Sequence, residues 1–113
     1  MKQLIFSALF LLASKSFAAS PTNCQSWPMN MAEVWLKNNN IIDIQSIDKE
    51  KTRSTLLATE KKNGDLYTQV YLFTFYGKDG KSFDVITQSD ATTEECSASE
   101  VNVFLVSKHE INH

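Results

Sequence analysis

The side chains in this 113-residue chain that could do chemistry are two cysteines, two histidines and a run of carboxylates. Cys24 and Cys96 have no C-x-x-C motif, and no histidine lies near either of them in the sequence. Two cysteines without redox or metal-ligand spacing most simply form one disulfide. We therefore predict a Cys24–Cys96 bridge, which closes a loop of roughly 70 residues and stabilises the domain by about 4 kcal/mol in the chain-entropy model.

The histidines are His109 and His113, and their i, i+4 spacing around Glu110 would present metal ligands on one face of a helix. No third ligand is evident, and both histidines fall in a polar stretch at the end of the chain. The sequence also has no Gly-rich phosphate loop. We therefore predict no metal site and no cofactor.

The carboxylates cluster at Asp90, Glu94 and Glu95, with Glu100 nearby. A glycosidase holds two carboxylates across a cleft and needs burial to shift one pKa, but this cluster falls in a segment that reads as a polar loop. No serine lies in a G-x-S-x-G motif. We therefore predict that the chain is not an enzyme and that Asp90, Glu94 and Glu95 form an acidic rim for a basic partner.

The first nineteen residues have the pattern of a secretory signal peptide. Lys2 precedes an apolar run, and Ser16-Phe17-Ala18 fits the small-x-small cleavage rule. The run is shorter than the roughly 20 residues that span a bilayer, so an uncleaved anchor is the weaker alternative. We predict a signal peptide at 1–19, a single domain at 20–113, no membrane span after cleavage, and a periplasmic or secreted protein.

The charge balance excludes one class of partner. The whole chain has a formal net charge of −2, and loss of Lys2 and Lys15 with the signal makes the mature domain more negative. Nucleic-acid binding needs a basic face, so we predict no nucleic-acid partner. An acidic balance suits a basic protein partner.

One helix and about five strands are predicted after the signal. Ser26 caps a helix whose spacing places Trp27, Met31, Val34 and Trp35 on one apolar face, and the asparagines at 38–40 end it. Strand patterns follow at 42–47, 52–62, 66–76, 82–88 and 101–107. The predicted fold is α+β, with the N-terminal helix packed on an antiparallel meander.

Two hairpin turns allow a register to be predicted. If Asn63-Gly64 and Asp79-Gly80 are two-residue loops, Tyr71 pairs with Leu56, Val70 with Leu57, Tyr76 with Phe83, and Phe73 with Ile86. Both sheet faces then carry apolar residues, although one short helix covers only one face. Loops, a second copy in a homodimer, or another protein could cover the other face. For the last case we predict Tyr71, Phe73 and Phe75 as the anchors.

The chain resembles the colicin M immunity family in architecture. Cys24 lies just before the first helix, Cys96 lies just before the final strand, and Lys78-Asp79-Gly80-Lys81 is similar to a turn that precedes the penultimate strand in that family. The chain departs from the family in its cleavable-looking signal, its longer loop before Cys96 and its helix sequence. The resemblance implies a small exported domain that binds a toxin in the periplasm, without identifying the target.

The sequence therefore favours a periplasmic or secreted protein that binds another protein, as an immunity protein or an inhibitor of a toxin or cell-wall hydrolase does. The alternative is a carrier of a small apolar ligand, with a pocket between helix and sheet lined by Trp27, Trp35 and Phe83. A hydrolase acting through Glu94 and Glu95 and a factor that acts outside the cell are further hypotheses.

Overall fold

The computed structural model describes residues 24–109. Its elements are the helix α1 (Ser26–Asn38), two single 3-10 turns (Ile44–Ser46 and Lys49–Lys51), and the strands β1 (Arg53–Lys61), β2 (Tyr67–Tyr76), β3 (Ser82–Ala91) and β4 (Asn102–His109). The strands form one antiparallel sheet in the order β1-β2-β3-β4, and α1 packs on one of its faces. The predicted α+β fold is confirmed, but with four strands instead of five. The predicted signal peptide lies outside the described residues.

The expected first strand, at 42–47, is instead a 3-10 turn followed by a single bridge. Ile44 and Ile47 are three residues apart, a spacing that matches the 3-10 period, whereas in a strand it would place the two side chains on opposite faces. Ile47 is 3% exposed and forms an isolated bridge with Gly77. The segment thus inserts one apolar side chain into the core without adding a strand.

The helix ends where the asparagines predict. Asn40 adopts a left-handed φ of 57°, the N–H of Ile41 donates to the carbonyl of Leu36 at 2.9 Å, and the N–H of Asn40 donates to Lys37 at 3.0 Å. This pair of bonds is a Schellman motif, which satisfies carbonyls at the end of the helix.

The buried face of α1 differs from the predicted one. Its buried residues are Pro28, Ala32, Glu33 and Leu36. Val34, which we expected in the core, is 38% exposed. The side chains of Trp27, Met31 and Trp35 are half-buried. Because Ala32 is small, it allows the helix backbone to lie close to the sheet, and the larger rings are displaced to the flanks.

The β2–β3 hairpin has a three-residue loop, so the predicted register is wrong by one residue. The N–H of Gly77 donates to the carbonyl of Lys81 at 2.7 Å, and Gly80 has a φ of 91°. Three-residue loops place a left-handed residue, usually glycine, at the last loop position. Phe75 therefore pairs with Phe83 instead of Asp84, and a shift of one residue moves every β3 side chain to the opposite face.

The β1–β2 hairpin also has a three-residue loop instead of the predicted Asn63-Gly64 pair, since the N–H of Lys62 donates to the carbonyl of Leu66 at 2.8 Å. The ladder next to this loop is therefore one residue out of the predicted register, and only the pairs from Arg53 to Leu56 match it. Leu56 pairs with Tyr71 as predicted, but Val70 pairs with Ala58 because Leu57 is the extra residue of a β-bulge.

The core lies between α1 and the two central strands. Its buried members are Ala32, Leu36, Ile47, Tyr71, Phe73, Phe75, Phe83 and Val85. The rings of Tyr71, Phe73 and Phe75 stack along β2 with centroid separations of 5.6 and 6.0 Å. Burial raises the pKa of Tyr71, an effect opposed by a hydrogen bond with the backbone of Cys24.

The predicted disulfide is confirmed. Cys24 and Cys96 are bonded, with a Cα–Cα distance of 5.1 Å. The bridge joins the start of α1 to the loop between β3 and β4, and therefore fixes this loop against the helix.

Candidate binding surface

The three aromatic residues predicted to anchor a partner are part of the core. Tyr71, Phe73 and Phe75 are 2%, 0% and 0% exposed, respectively. Their side chains point toward α1. In the observed register Phe73 pairs with Val85 and Phe75 pairs with Phe83, so the most apolar sides of β2 and β3 lie on the same face of the sheet. In the folded domain these rings cannot serve as surface anchors, and that prediction is wrong.

The opposite side of the sheet, termed here the open face, carries its own apolar residues. Thr55, Leu72, Ile86 and Phe104 pair in succession across β1, β2, β3 and β4. Directly paired residues share a face, so Leu72, Ile86 and Phe104 form a continuous line, termed the apolar row. Leu72 and Ile86 are half-buried by their neighbours, while Phe104 is 54% exposed.

The apolar row ends on an unusually apolar edge strand. Phe104, Leu105 and Val106 are consecutive in β4 and are 54%, 37% and 56% exposed. A β-bulge at Val106 adds a residue between the pairs Asp84–Ser107 and Val85–Leu105. Large exposed apolar groups at a sheet edge are typical of surfaces that another chain covers.

A polar network centred on Asp84 adjoins the apolar row on the open face. The carboxylate accepts hydrogen bonds from the hydroxyls of Thr74 and Ser107, each at 2.7 Å, and its Oδ2 lies 3.5 Å from the Nε2 of His109. These contacts link β2, β3 and β4. The two hydroxyls, Thr74 first, lower the pKa of Asp84, partial burial opposes them, and the charge and hydrogen bond of His109 add smaller lowering effects.

Asp84, Ser107 and His109 are the residue types of a hydrolytic triad, but their geometry differs from one. In a triad the serine donates to one ring nitrogen and the other nitrogen donates to the carboxylate. Here Ser107 donates to Asp84, and the same His109 nitrogen lies 3.0 Å from the Ser107 hydroxyl and 3.5 Å from Asp84. The arrangement stabilises a carboxylate and does not activate the serine.

A polar cleft lies at the other end of the open face, around Asp90. The carboxylate accepts a hydrogen bond from the hydroxyl of Thr68 at 2.7 Å and lies 3.5 Å from the ammonium of Lys62. The cleft has a volume of about 320 Å³. It is lined by Lys62, Thr68, Gln88, Ser89, Asp90, Ser99, Glu100 and Asn102.

The structure divides the predicted acidic rim between two elements. Asp90 belongs to β3, which extends past its predicted end, whereas Glu94 and Glu95 are exposed in the loop that follows. The loop is internally bonded, since the N–H of Glu95 donates to the Thr92 hydroxyl at 2.9 Å and the Ser97 hydroxyl donates to Glu95 at 3.0 Å. Their role in partner binding stays a prediction.

Among residues 24–109, no group of three or more histidine, cysteine or acidic side chains could hold a metal ion. His109 lies at the end of β4, while Glu110 and His113, the other members of the sequence pattern, lie outside the described residues.

The space proposed for an apolar ligand between helix and sheet is filled by core side chains. Phe83 is fully buried, as are Leu36 and Phe73 beside it. Trp27 and Trp35 are half-buried at the flanks, and the indole N–H of Trp27 is buried without a hydrogen-bond partner.

In the described part of the chain, no helix has the length and apolar character needed to cross a membrane. Comparison of the chain with protein-family models, curated protein sequences and solved structures gives no match.

Proposed function

We propose that this chain is an exported domain that binds another protein through the open face of its sheet, in the manner of an immunity protein or an inhibitor. The target is a toxin or a cell-wall hydrolase. The Cys24–Cys96 disulfide suits an oxidising compartment such as the periplasm or the extracellular medium. The resemblance to the colicin M immunity family supports the same class of target.

The observation that carries the proposal is the apolar row of Leu72, Ile86 and Phe104. It crosses three neighbouring strands on the face that α1 does not cover, and it ends on a phenylalanine that is 54% exposed. Interfaces are typically built around an apolar centre with aromatic anchors and a polar rim. The networks of Asp84 and Asp90 supply that rim here.

Charge favours a basic partner. Asp84 and Asp90 are six residues apart on β3, so their carboxylates are separated by about 20 Å along the strand. The apolar row lies between them. A partner surface with an apolar centre and basic residues about 20 Å apart would complement this face, and such charges speed association.

The proposed mode of action is binding, not catalysis. The Ser107 hydroxyl donates a hydrogen bond to the Asp84 carboxylate rather than to a ring nitrogen of His109, and this carboxylate also accepts a hydrogen bond from the Thr74 hydroxyl. A stably ionised, hydrogen-bonded carboxylate suits a role in recognition.

The test is survival of cells that export the domain and are challenged with toxins, including one of the colicin M class. The variant Leu72→Thr/Ile86→Thr places a β-branched residue that suits a strand at both positions but removes the apolar centre of the open face. We expect the wild-type chain to protect against one toxin and this variant to protect at least tenfold less.

The matched control is Leu57→Thr, which changes a leucine that is 50% exposed at the bulge of β1, away from the apolar row. It should protect as well as the wild type. Affinity capture from the same toxin preparations should retain one partner on the wild type and on the control. Equal protection and capture by all three chains would overturn the role of the open face.

A further inference from the structure

We infer that β4 pairs edge to edge with β4 of a second copy of this chain, which joins two sheets into one. This inference goes beyond the proposed function. Either exposed edge of a sheet can accept another strand, but the two edges of this sheet differ in charge.

The charges of β1 oppose self-pairing. Arg53 begins the strand, Lys61 ends it, and Lys51 and Lys62 flank the two ends. Antiparallel pairing with a second copy about Leu57 would place Arg53 opposite Lys61. Like charges directly opposite each other are destabilising, so the β1 edge is protected from self-association.

The charges of β4 favour self-pairing. Glu100 comes just before the strand, and Lys108 lies near its end. Antiparallel pairing brings the start of one strand to the end of the other, so each Glu100 approaches the Lys108 of the second copy. Between these charges lie Phe104, Leu105 and Val106, all at least 37% exposed.

The direction of the backbone groups determines which residues of β4 can pair outward. Both backbone groups of Asp90 in β3 bond toward the segment before β4, because its N–H donates to the Ser99 hydroxyl at 2.7 Å and its carbonyl accepts from Ala98 at 3.2 Å. Successive residues of a strand direct their N–H and carbonyl groups to opposite sides. Ile86 lies four residues before Asp90, so its backbone groups also point toward β4. Its paired residue Phe104 therefore directs its own N–H and carbonyl toward β3.

It follows that Val103 and Leu105, on either side of Phe104, present their N–H and carbonyl groups to the outside. A two-fold axis at Phe104 pairs each Val103 with Leu105 of the second copy and forms about four backbone hydrogen bonds. The two Phe104 residues become a directly opposed pair without backbone bonds, with Cα atoms about 4.5 Å apart. This is an isologous contact, in which one edge serves both copies.

The first test is a cross-link in the mature oxidised chain. The substitution Phe104→Cys introduces one cysteine at the same position in each copy. The Cα atoms of these two cysteines would be about 4.5 Å apart, within the range of roughly 4.4–6.8 Å that a disulfide spans. Mild oxidation should convert most of this variant to a dimer linked through position 104, as read by non-reducing electrophoresis and peptide mass spectrometry. Leu57→Cys, of similar exposure on the other edge, should form no 57–57 link and should run as a monomer on the same gel. Absence of a 104–104 link, or equal linkage in both variants, would overturn the inference.

The second test leaves the core and the apolar row intact. Sedimentation equilibrium at low salt should show a wild-type dimer that Glu100→Lys weakens at least fivefold. The control Glu94→Lys makes the same charge change in the same loop and should leave the dimer constant unaltered. A monomer at all concentrations would overturn the inference, as would equal effects of the two variants. If such a monomer still protects cells and captures a toxin, only the dimer fails and the proposed function stands.

Discussion

Removing the Cys24–Cys96 bridge should cost this domain a large share of its stability. The bridge joins residues 72 positions apart, and the chain-entropy relation gives about 4 kcal/mol for a loop of that length. A small domain has a total stability of only about 5–15 kcal/mol. With a urea m-value of about 1–1.5 kcal/mol/M, the expected decrease in the unfolding midpoint is about 3 M.

The assay is urea unfolding followed by tryptophan fluorescence and far-UV circular dichroism. Three samples are compared: the oxidised chain, the reduced chain and the double variant Cys24→Ala/Cys96→Ala, with alanine chosen because Cys24 is buried. The reduced chain and the variant should unfold at similar, much lower urea concentrations, and reductant should not affect the variant. A midpoint shift below about 1 M would refute the reasoning, because the bridge would then barely constrain the unfolded chain.

Three further predictions concern the turn, the polar network and the core. Gly77→Ala should destabilise the fold by about 1 kcal/mol in urea unfolding, because the added Cβ would lie 2.6 Å from Oδ1 of Asp79 and would displace it from its hydrogen bond with the Lys81 N–H. The double variant Gly77→Ala/Asp79→Ala should be more stable than Gly77→Ala alone. If it is not, the clash is not with the Asp79 side chain. Since the pKa of Asp84 is lowered in the folded chain, its carboxylate stabilises the fold above the unfolded pKa of about 4, and this contribution is lost as the pH falls through the folded pKa. Asp84→Asn should therefore lower the Tm at pH 7 and flatten its decline from about pH 5 to 2, whereas an unaltered pH profile would contradict the role of the network. Phe73→Ala should lower the free energy of unfolding by about 3–5 kcal/mol, and Phe104→Ala should lower it by about 1 kcal/mol or less. Similar losses for the two variants in calorimetry would contradict the assignment of Phe73 to the core and Phe104 to the surface.

The sequence predicts the helix and four of the strands, but not the 3-10 turn at 44–46, where a fifth strand was expected, and not the faces of the sheet. Periodicity predicts α1, and the turn residues predict both hairpins near their observed positions. The number of loop residues was the weak point in both hairpins, which have three-residue loops. In the second hairpin, Asp79-Gly80 fits a two-residue loop and also the end of a three-residue loop with Gly80 left-handed. A register difference of one residue places every β3 side chain on the face opposite to the predicted one. Phe73 and Phe75, the predicted anchors, therefore lie in the core.

The Asp84 network was not predictable from local patterns. Its members come from three strands, and Thr74 and Ser107 reach the same carboxylate only in the observed register. The sequence offered a weaker signal, an aspartate in the middle of an otherwise apolar strand pattern. A carboxylate at such a position requires partners on neighbouring strands, and this requirement could have directed attention to hydroxyl residues there.

The two proposals place the binding surface and the dimer contact on adjoining parts of one sheet. A two-fold axis perpendicular to the sheet at Phe104 keeps both open faces on one side and both helices on the other. A single four-stranded face, about 19 Å by 27 Å, offers roughly 500 Å². A standard interface buries about 800 Å² per partner, which the joined eight-stranded face exceeds. The expected complex therefore contains two copies of this chain per target molecule, as measured by light scattering of the purified complex. A complex with one copy per target would show that a single open face, extended by its loops, is sufficient.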